Sequence, residues 1–257
     1  MVVAMVANGA WYKYLMVEVY SLLSTTKNVK KIYLFTETEN ENNLPYLANI
    51  KEKYDKVEIV LLDAHKYFDK NIINSSPNKN SYFTDFALVK LMLSEIINED
   101  KVLYIDADAI VLKDISNLWK YNIDDYYVAG VRDFGIIKRG IIEVLPISNR
   151  YINSGVVLFN LKKMREDSIQ EKMFDLINTK KLKYPDQDAL NIICHEKVYL
   201  LPIFYNQCED VTLELKDFSK ARIIHFAGNK DEFWITNRYY SEEWYEIEER
   251  FHDEFGW

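Results

Sequence analysis

The chain has 257 residues, of which 49% are hydrophobic and 28% charged, and this apolar content excludes an intrinsically disordered protein. Its net charge of -8, without a basic stripe, argues against a surface for nucleic acid or anionic membranes. The apolar run at 1–7 is too short for a signal peptide or a membrane span. From this we expect a soluble, cytoplasmic protein. Because its two cysteines form no CxxC pair, we also expect reduced thiols and no structural zinc.

Short β-rich runs alternate with longer segments of helical period along the chain. This alternation is typical of βαβ units, so the sequence predicts an α/β protein with a mostly parallel central sheet flanked by helices. We expect a single domain over 1–257 that ends in a helix from 241. The predicted strands are Val2–Ala7, Ile32–Thr36, Val57–Leu62, Val102–Ile105, Tyr127–Val131, Val156–Asn160, Val198–Leu201 and Arg222–Phe226.

Two segments carry apolar residues at helical spacing and are predicted to pack on the sheet. The first runs from Trp11 to Leu23. The second covers 84–97, where Thr84 or Asp85 could cap the helix.

A predicted buried strand ends in the sequence Asp106-Ala107-Asp108. Ligands gather at the carboxyl ends of strands in open α/β sheets, and two carboxylates at this spacing can turn toward one hard cation. The alternative is a solvated turn with two capping aspartates. Apolar residues on both sides make such a turn largely buried, where two unpaired carboxylates are costly. The pair therefore predicts a divalent metal.

A second polar cluster, Asn153-Ser154-Gly155, is predicted to form a turn that leads into an apolar strand. The amide, the hydroxyl and a glycine that permits close approach suit the hydroxyl groups of a sugar. An ordinary β-turn explains the cluster equally well.

A third cluster, Asp186-Gln187-Asp188, follows Pro185, and Asp186 resembles the N-cap of a helix. Capping would explain one acidic residue but not the whole triplet.

The late strand carries His225, which is either a hydrogen-bonded core residue or a third ligand to the metal of Asp106 and Asp108. Imidazole beside two carboxylates favours Mn²⁺ over Mg²⁺ or Ca²⁺.

These four motifs, in this order, resemble the retaining nucleotide-sugar glycosyltransferases of family 8, which include glycogenin and bacterial galactosyl- and glucosyltransferases. The resemblance implies a GT-A type nucleotide-binding fold, a UDP-glucose or UDP-galactose donor, and a glycan, glycolipid or glycoprotein acceptor. It also implies Mn²⁺, or alternatively Mg²⁺, between the protein and the diphosphate. Within the single domain it suggests a nucleotide-binding half at about 1–110, a donor and acceptor half at 111–240, and a C-terminal helix at 241–257.

The resemblance further implies roles for single residues. Asn8 and Trp11 match positions that hold the uridine, although Gly9 replaces an aspartate of the family and Trp11 a tyrosine. The remaining matches are Lys90 as a basic donor-binding residue, Asp106, Asp108 and His225 as metal ligands, the backbone of Ala107 at the ribose, Asn153 and Ser154 at the donor sugar, Asp186 and Gln187 at the reaction centre, and Gly228 and Lys230 at the diphosphate.

Two features depart from the family pattern. Lys230 lies one residue earlier than the family spacing, and an arginine sometimes found before the Lys90 segment is absent, since Ser81 and Tyr82 stand in that region.

For catalysis, we expect the anomeric carbon of the donor to face Gln187. Retaining hydrolases place a carboxylate nucleophile beside the sugar, which makes Asp186 and Asp188 candidates. We favour instead a front-face displacement, in which an oxygen of the leaving phosphate takes the proton of the acceptor. The segments 132–150 and 202–220 are expected to form the acceptor cleft, where Tyr205, Asn206 and Tyr151 either contact a sugar or serve only in packing.

Two other classes of protein stay open. A haloacid-dehalogenase-type phosphatase also carries an Asp-x-Asp strand end, although here the pair falls late and is followed by Ala109 and Ile110. A sugar-nucleotide or glycan-binding module without turnover is the non-enzyme alternative.

Overall fold

The structure is a computed structural model that describes residues 1–71, 75–78, 85–138, 150–208, 219–227 and 241–256. Within these ranges the chain forms a seven-stranded sheet, a three-stranded sheet and surrounding helices. In chain order the strands are β1 (Val2–Val6), β2 (Lys31–Thr36), β3 (Glu58–Asp63), β4 (Lys101–Asp106), β5 (Ala109–Val111), β6 (Val128–Arg132), β7 (Ile152–Asn160), β8 (Val198–Leu200), β9 (Gln207–Cys208) and β10 (Ile223–His225).

The α-helices among the described residues are α1 (Tyr12–Thr25), α2 (Leu47–Lys53), α3 (His65–Asn71), α4 (Leu93–Ile96), α5 (Phe134–Lys138), α6 (Leu161–Glu166), α7 (Ile169–Thr179), α8 (Pro185–Cys194) and α9 (Ser241–Phe255). Short 3₁₀ helices cover Gly9–Trp11, Glu41–Asn43, Asp85–Leu91, Ser116–Lys120, His195–Lys197 and Ile203–Tyr205. None of the helices in the described ranges combines the length and apolar character needed to cross a membrane.

The larger sheet has the strand order β3-β2-β1-β4-β7-β6-β8. Strand β7 runs antiparallel to β4 and β6, and every other neighbouring pair is parallel. The predicted α/β fold with a mostly parallel sheet is therefore confirmed. Because β7 is reversed, its first residues lie at the edge where β4 ends, with Val156 opposite Ile105.

Both faces of the sheet are covered by apolar side chains, as expected for parallel strands. Alternate residues of β1 point to opposite faces: Val3 and Met5 join one buried cluster, and Ala4 and Val6 join the other. This two-sided burial explains why the strands are almost continuously apolar in the sequence.

The smaller sheet, in the order β5-β10-β9, contains two strands that the sequence analysis missed. Strand β10 lies within the predicted strand at 222–226, and it pairs antiparallel with β5 so that His225 lies opposite Ala109. The pairing places the end of β10 beside the turn that follows β4.

Two predictions about local structure are wrong. Asn153-Ser154-Gly155 is not a turn but part of β7, because the polar side chains of this strand find hydrogen-bond partners on other elements. Asp186 is not the N-cap of α8, since Tyr184 holds that position and Pro185 is the first helical residue.

The predicted helix at 84–97 is also different in detail. Thr84 lies outside the described residues, Asp85–Leu91 is a 3₁₀ helix, and Leu93–Ile96 is a single α turn. The last four residues of this 3₁₀ helix, 88–91, are all buried, so this end of the segment packs into the core.

The C-terminal helix α9, which the sequence predicted from 241, packs against α1. Phe251 is fully buried, with its ring 5.4 Å from that of Tyr20 and 5.6 Å from that of Tyr46, both edge to face. At the rim of this contact, Lys13 forms a 2.9 Å ion pair with Glu248. The helix is thus held mainly by apolar and aromatic contacts.

We predict that Phe251→Ala lowers the free energy of unfolding by about 3–5 kcal/mol, because truncating a buried phenylalanine leaves a cavity. Chemical denaturation monitored by circular dichroism measures the change. Tyr245→Ala, at an exposed position of the same helix, is the control and is expected to shift it by roughly 0.5 kcal/mol or less. Equal effects of the two substitutions would contradict this docking of α9.

Candidate functional site

The structure brings together the three residues predicted to hold a metal. Nε2 of His225 lies 3.0 Å from Oδ1 of Asp108 and 3.9 Å from Oδ2 of Asp106. The three ligand atoms that the group offers all lie within 4.8 Å of one another. The two carboxylates are partly exposed and the imidazole is buried, so the group opens to solvent on one side.

Strand pairing explains this convergence of residues distant in sequence. Asp106 ends β4, Ala107 and Asp108 form the turn into β5, and β10 pairs with β5. The backbone N–H of Phe226 donates to the carbonyl oxygen of Asp108 at 2.8 Å, which fixes the turn against β10.

Gly155 provides the space for the His225 ring. A Cβ atom at position 155 would lie 2.0 Å from Cε1 of His225 and 2.6 Å from each ring nitrogen. No side chain fits there while the imidazole keeps its place, so the glycine predicted to allow close approach does so for a protein side chain.

Lys90 is buried among the acidic residues of the site. Its ammonium lies 2.9 Å from Oδ1 of Asp106 and 3.2 Å from Oδ2 of Asp186, and 4.8 Å from the centre of the Tyr104 ring. Burial opposes its charge, but Asp106 and Asp186 outweigh burial and raise the pKa of Lys90. The lysine therefore stays charged and links the metal-ligand group to the start of α8.

Electrostatic coupling within the group keeps it ionised. Burial opposes a charged imidazole, yet Asp108 raises the pKa of His225 well above its usual value. Burial likewise opposes the carboxylate, yet His225 lowers the pKa of Asp108. Tyr104, which the sequence analysis did not single out, donates its hydroxyl proton to Oδ1 of Asp106 at 2.5 Å.

The residues predicted at the donor sugar and the reaction centre form one hydrogen-bonded cluster. The Ser154 hydroxyl donates to Oδ2 of Asp186 at 3.0 Å, and its backbone N–H donates to Oε1 of Gln187 at 3.0 Å. Through Lys90, this cluster adjoins Asp106.

Asp188 has the contacts of a structural residue. Its Oδ2 accepts hydrogen bonds from the backbone N–H groups of Lys183 at 3.0 Å and Tyr184 at 2.9 Å, at the start of α8. Its Oδ1 accepts the hydroxyl proton of Tyr151 at 2.5 Å. Burial, reinforced by Asp188, raises the pKa of Tyr151, so the phenol keeps this proton. Asp188, rather than Asp186, therefore accepts the backbone N–H groups at the start of α8.

Asp133 is a further residue of the site that the sequence analysis missed. Its Oδ2 accepts from Nε2 of Gln187 at 3.0 Å and from Nδ2 of Asn153 at 3.2 Å. Its Oδ1 accepts from the backbone N–H of Ile136 at 2.9 Å, as an N-cap of α5 does. An aspartate three residues before a buried isoleucine is the capping signal by which it could have been noticed.

The residues predicted at the uridine follow β1 at the same edge of the sheet, since Val6 pairs with Asp106. Oδ1 of Asn8 is buried and has no hydrogen-bond partner among the described residues. Trp11 is partly exposed and packs edge to face on Tyr14 at 5.6 Å. Next to Asn8, the backbone N–H of Gly9 donates to Oε2 of Glu37 at 2.9 Å.

Other predicted residues are placed differently or fall outside the described ranges. Tyr151, Tyr205 and Asn206 are buried, which favours the packing role for these side chains. Gly228 and Lys230 lie outside the described residues, as do large parts of the two segments predicted to form the acceptor cleft.

The chemistry of the donor set fits a divalent cation. Asp106 and Asp108 offer carboxylate oxygens, His225 offers a ring nitrogen, and one side of the group is open for further ligands. Oxygen and imidazole donors together suit divalent first-row transition metals.

Glu18, on α1, is a buried carboxyl that interacts electrostatically with Asp106 and Asp108. It is fully buried, and neither of its oxygens has a hydrogen-bond partner among the described residues. Burial, reinforced by Asp106 and Asp108, raises the pKa of Glu18 well above its usual 4.5. Glu18 is therefore protonated over a wide pH range in the folded chain.

We predict that Glu18→Met raises the free energy of unfolding by about 1–3 kcal/mol near pH 8, since it removes an unsatisfied buried polar group. A carboxyl whose pKa is higher in the folded chain contributes stability that is complete below its unfolded pKa and is lost as the pH rises through its folded pKa. The gap between variant and wild type should therefore narrow as the pH falls toward 4.5. Urea denaturation at a series of pH values measures it.

Glu52→Met, which changes an exposed glutamate in α2, is the matched control and should show no such pH dependence. A wild-type protein more stable than the Glu18 variant near pH 8 would contradict the burial of an unpaired carboxyl.

Comparison with known proteins gives a consistent result. The model of glycosyl transferase family 8 matches residues 2–252. General stress protein A of Bacillus subtilis is 31% identical over 179 residues, which are 62% of this chain and 62% of that protein. The lipopolysaccharide 1,2-glucosyltransferase of Escherichia coli is 31% identical over 162 residues, 57% of this chain and 47% of that enzyme. The matches thus span less than two thirds of both relatives.

A solved structure with a similar fold is that of the galactosyltransferase LgtC in complex with donor and acceptor sugar analogs. It superposes with a TM-score of 0.74 at 19% identity, over 97% of this chain and 96% of that one. This similarity confirms the fold expected from the sequence, the GT-A type.

Proposed function

Because the chain belongs to glycosyl transferase family 8, we propose that it transfers glucose or galactose from a UDP-sugar to a hydroxyl group of a glycan or glycoconjugate, with retention at the anomeric carbon. The observation that carries this proposal is the convergence of Asp106, Asp108 and His225 beside the polar cluster of Ser154 and Gln187. Family membership argues against the phosphatase alternative. The single-domain organisation and the cytoplasmic location remain predictions.

In this proposal, Asp106, Asp108 and His225 hold Mn²⁺, with Mg²⁺ as the alternative. When bound, the cation acts as a Lewis acid that stabilises the charge of the departing diphosphate. Breaking the bond to the sugar adds negative charge to the nucleotide, so groups that offset this charge lower the barrier by several kcal/mol. The protein contributes the placement of the ligands, which the β5 and β10 pairing supports.

The donor would lie along the edge where β1 and β4 end and β7 begins. Asn8 and Trp11 would contact the uracil, for which Oδ1 of Asn8, without a partner in the described ranges, supplies an acceptor. The backbone of Ala107 would contact the ribose. Lys90, Asn153 and Ser154 would surround the sugar, and Gly228 and Lys230 would contact the diphosphate.

The contacts of the acidic residues support retention by front-face displacement. Asp188 accepts three hydrogen bonds that maintain the start of α8 and the position of Tyr151. Asp186 is paired with the charged Lys90 and with Ser154, both through Oδ2, and this pairing weakens it as a nucleophile. Asp188 offers no oxygen free of hydrogen bonds, and Gln187 offers only an amide. The acceptor hydroxyl would instead attack from the face of the leaving phosphate, whose oxygen takes the proton.

We predict that the purified chain slowly hydrolyses UDP-glucose or UDP-galactose in the presence of Mn²⁺ and that a chelator stops the reaction. Asp108→Asn removes one charged metal ligand and should lower the rate about 100-fold or more. Release of UDP from a panel of nucleotide sugars measures the activity and needs no known acceptor.

Asp125→Asn, the same substitution at an exposed position, controls for a general effect of charge and should leave the rate unchanged. Turnover that persists in the chelator would refute the metal assignment. Binding of a UDP-sugar without release of UDP by the wild type would favour the non-catalytic binding module.

We also predict that the first product keeps the anomeric configuration of the donor and that no glycosyl adduct forms on Asp188. Proton NMR of the reaction at early times measures the configuration, and mass spectrometry of the intact protein during turnover detects an adduct. A trapped adduct on Asp188 would refute the front-face displacement, and an inverted product would refute retention.

A further inference from the structure

A chain of buried hydrogen bonds connects the metal-ligating imidazole to Asp133. His225 contacts Asn206, Asn206 contacts Asn153, and Asn153 contacts Asp133. His225 and Asn206 are 3% and 1% exposed, so water does not compete for these bonds. The direction of each bond follows from the groups at the Asp133 end.

Asn153 has only one possible orientation. Its Oδ1 lies 3.0 Å from the backbone N–H of Gly155, which can only donate. Its Nδ2 lies 3.2 Å from Oδ2 of Asp133, a carboxylate that accepts from two further N–H groups. Reversing the amide would place a donor against a donor and an acceptor against an acceptor.

The orientation of Asn153 in turn fixes that of Asn206. Nδ2 of Asn206 must donate to Oδ1 of Asn153, at 2.9 Å, and this leaves Oδ1 of Asn206 facing Nδ1 of His225 at 3.1 Å. The thiol of Cys208 lies 3.5 Å from the same oxygen and can donate to its second lone pair. An amide oxygen has no proton to give, so Nδ1 of His225 must be the donor.

We propose that Asn206 is a positioning residue for the metal site: it accepts the Nδ1 proton of His225 and thereby keeps Nε2 as the nitrogen that faces Asp106, Asp108 and the cation. Without the cation, Nε2 lies 3.0 Å from Oδ1 of Asp108 and can donate a proton to this carboxylate. When the cation takes the lone pair of Nε2, the single proton of the ring has to stay on Nδ1, where Asn206 accepts it over 3.1 Å. The cation rests on the proposed function, whereas the contact between Asn206 and the ring is a property of the protein alone.

Asp133 thus orients two functional groups. It accepts directly from Gln187, and through Asn153 and Asn206 it fixes the amide oxygen that faces Nδ1 of His225. Fixing the tautomer of a metal-binding histidine through its second nitrogen is a general device, and loss of such a partner commonly costs about 10–100-fold in metal affinity.

The direct test is the affinity of the full chain for Mn²⁺ alone, measured by electron paramagnetic resonance of free Mn²⁺. Nitrogen-15 NMR of the chain loaded with diamagnetic Mg²⁺ adds the protonation of the ring, and comparison with His225→Gln assigns the signals. We expect a protonated Nδ1 and an unprotonated Nε2. A ring without a proton on Nδ1 would overturn the proposal, and neither measurement needs a substrate.

Variants test the role of Asn206 itself. Asn206→Leu removes the acceptor at Nδ1 and should weaken Mn²⁺ binding about 10–100-fold. Asn206→Asp loses the bond to Asn153 but keeps an acceptor at Nδ1, so it should retain more of the Mn²⁺ affinity than Asn206→Leu. Cys208→Ala, which changes the other group beside the ring, is the matched control and should leave the Mn²⁺ affinity unchanged.

The outcomes separate this inference from the proposed function. An Asn206→Leu protein that folds and keeps the Mn²⁺ affinity would overturn the inference, as would equal losses in Cys208→Ala. If Asn206→Leu does not fold, the spectrum of the Mg²⁺-loaded wild type and the affinity of Asn206→Asp decide. Mn²⁺ binding with the expected loss in Asn206→Leu, but without turnover of any UDP-sugar, would contradict only the proposed function.

Discussion

The pairing of Asp106, Asp108 and Asp186 with opposite charges is the constraint on which the rest of the site depends. Carboxylates that are buried or only partly exposed need such charges nearby to remain ionised. Lys90 lies between Asp106 and Asp186, and His225 lies beside Asp108. The fold must therefore place Lys90, from the segment before β4, and His225, from β10, at the same edge of the sheet.

The sequence was sufficient for the parts of the fold that local patterns determine. The strands β1 to β4 are continuous apolar runs, and the predicted bounds agree with the structure within about one residue. The spacing of Asp106 and Asp108 after such a run was enough to predict their shared position at a strand end. These features depend on neighbours in the chain, which a single sequence displays.

Other features depend on residues far apart in the chain and could not be predicted. Strands β5 and β9 are three and two residues long, too short for a periodic pattern, and they exist because β10 pairs with both. Asn153-Ser154-Gly155 has the composition of a turn, but its polar groups bond to Asn206 and Asp186 and so remain in a strand. Asn206 gave no local signal of its contact with His225.

Gly155 has a consequence for anyone who would redesign this protein. The ring of His225 occupies the volume that the smallest side chain would need at position 155, so shape alone rejects every replacement before its chemistry matters. A combinatorial library at this edge of the sheet gains nothing from randomising position 155. Only glycine leaves room for the imidazole at this position.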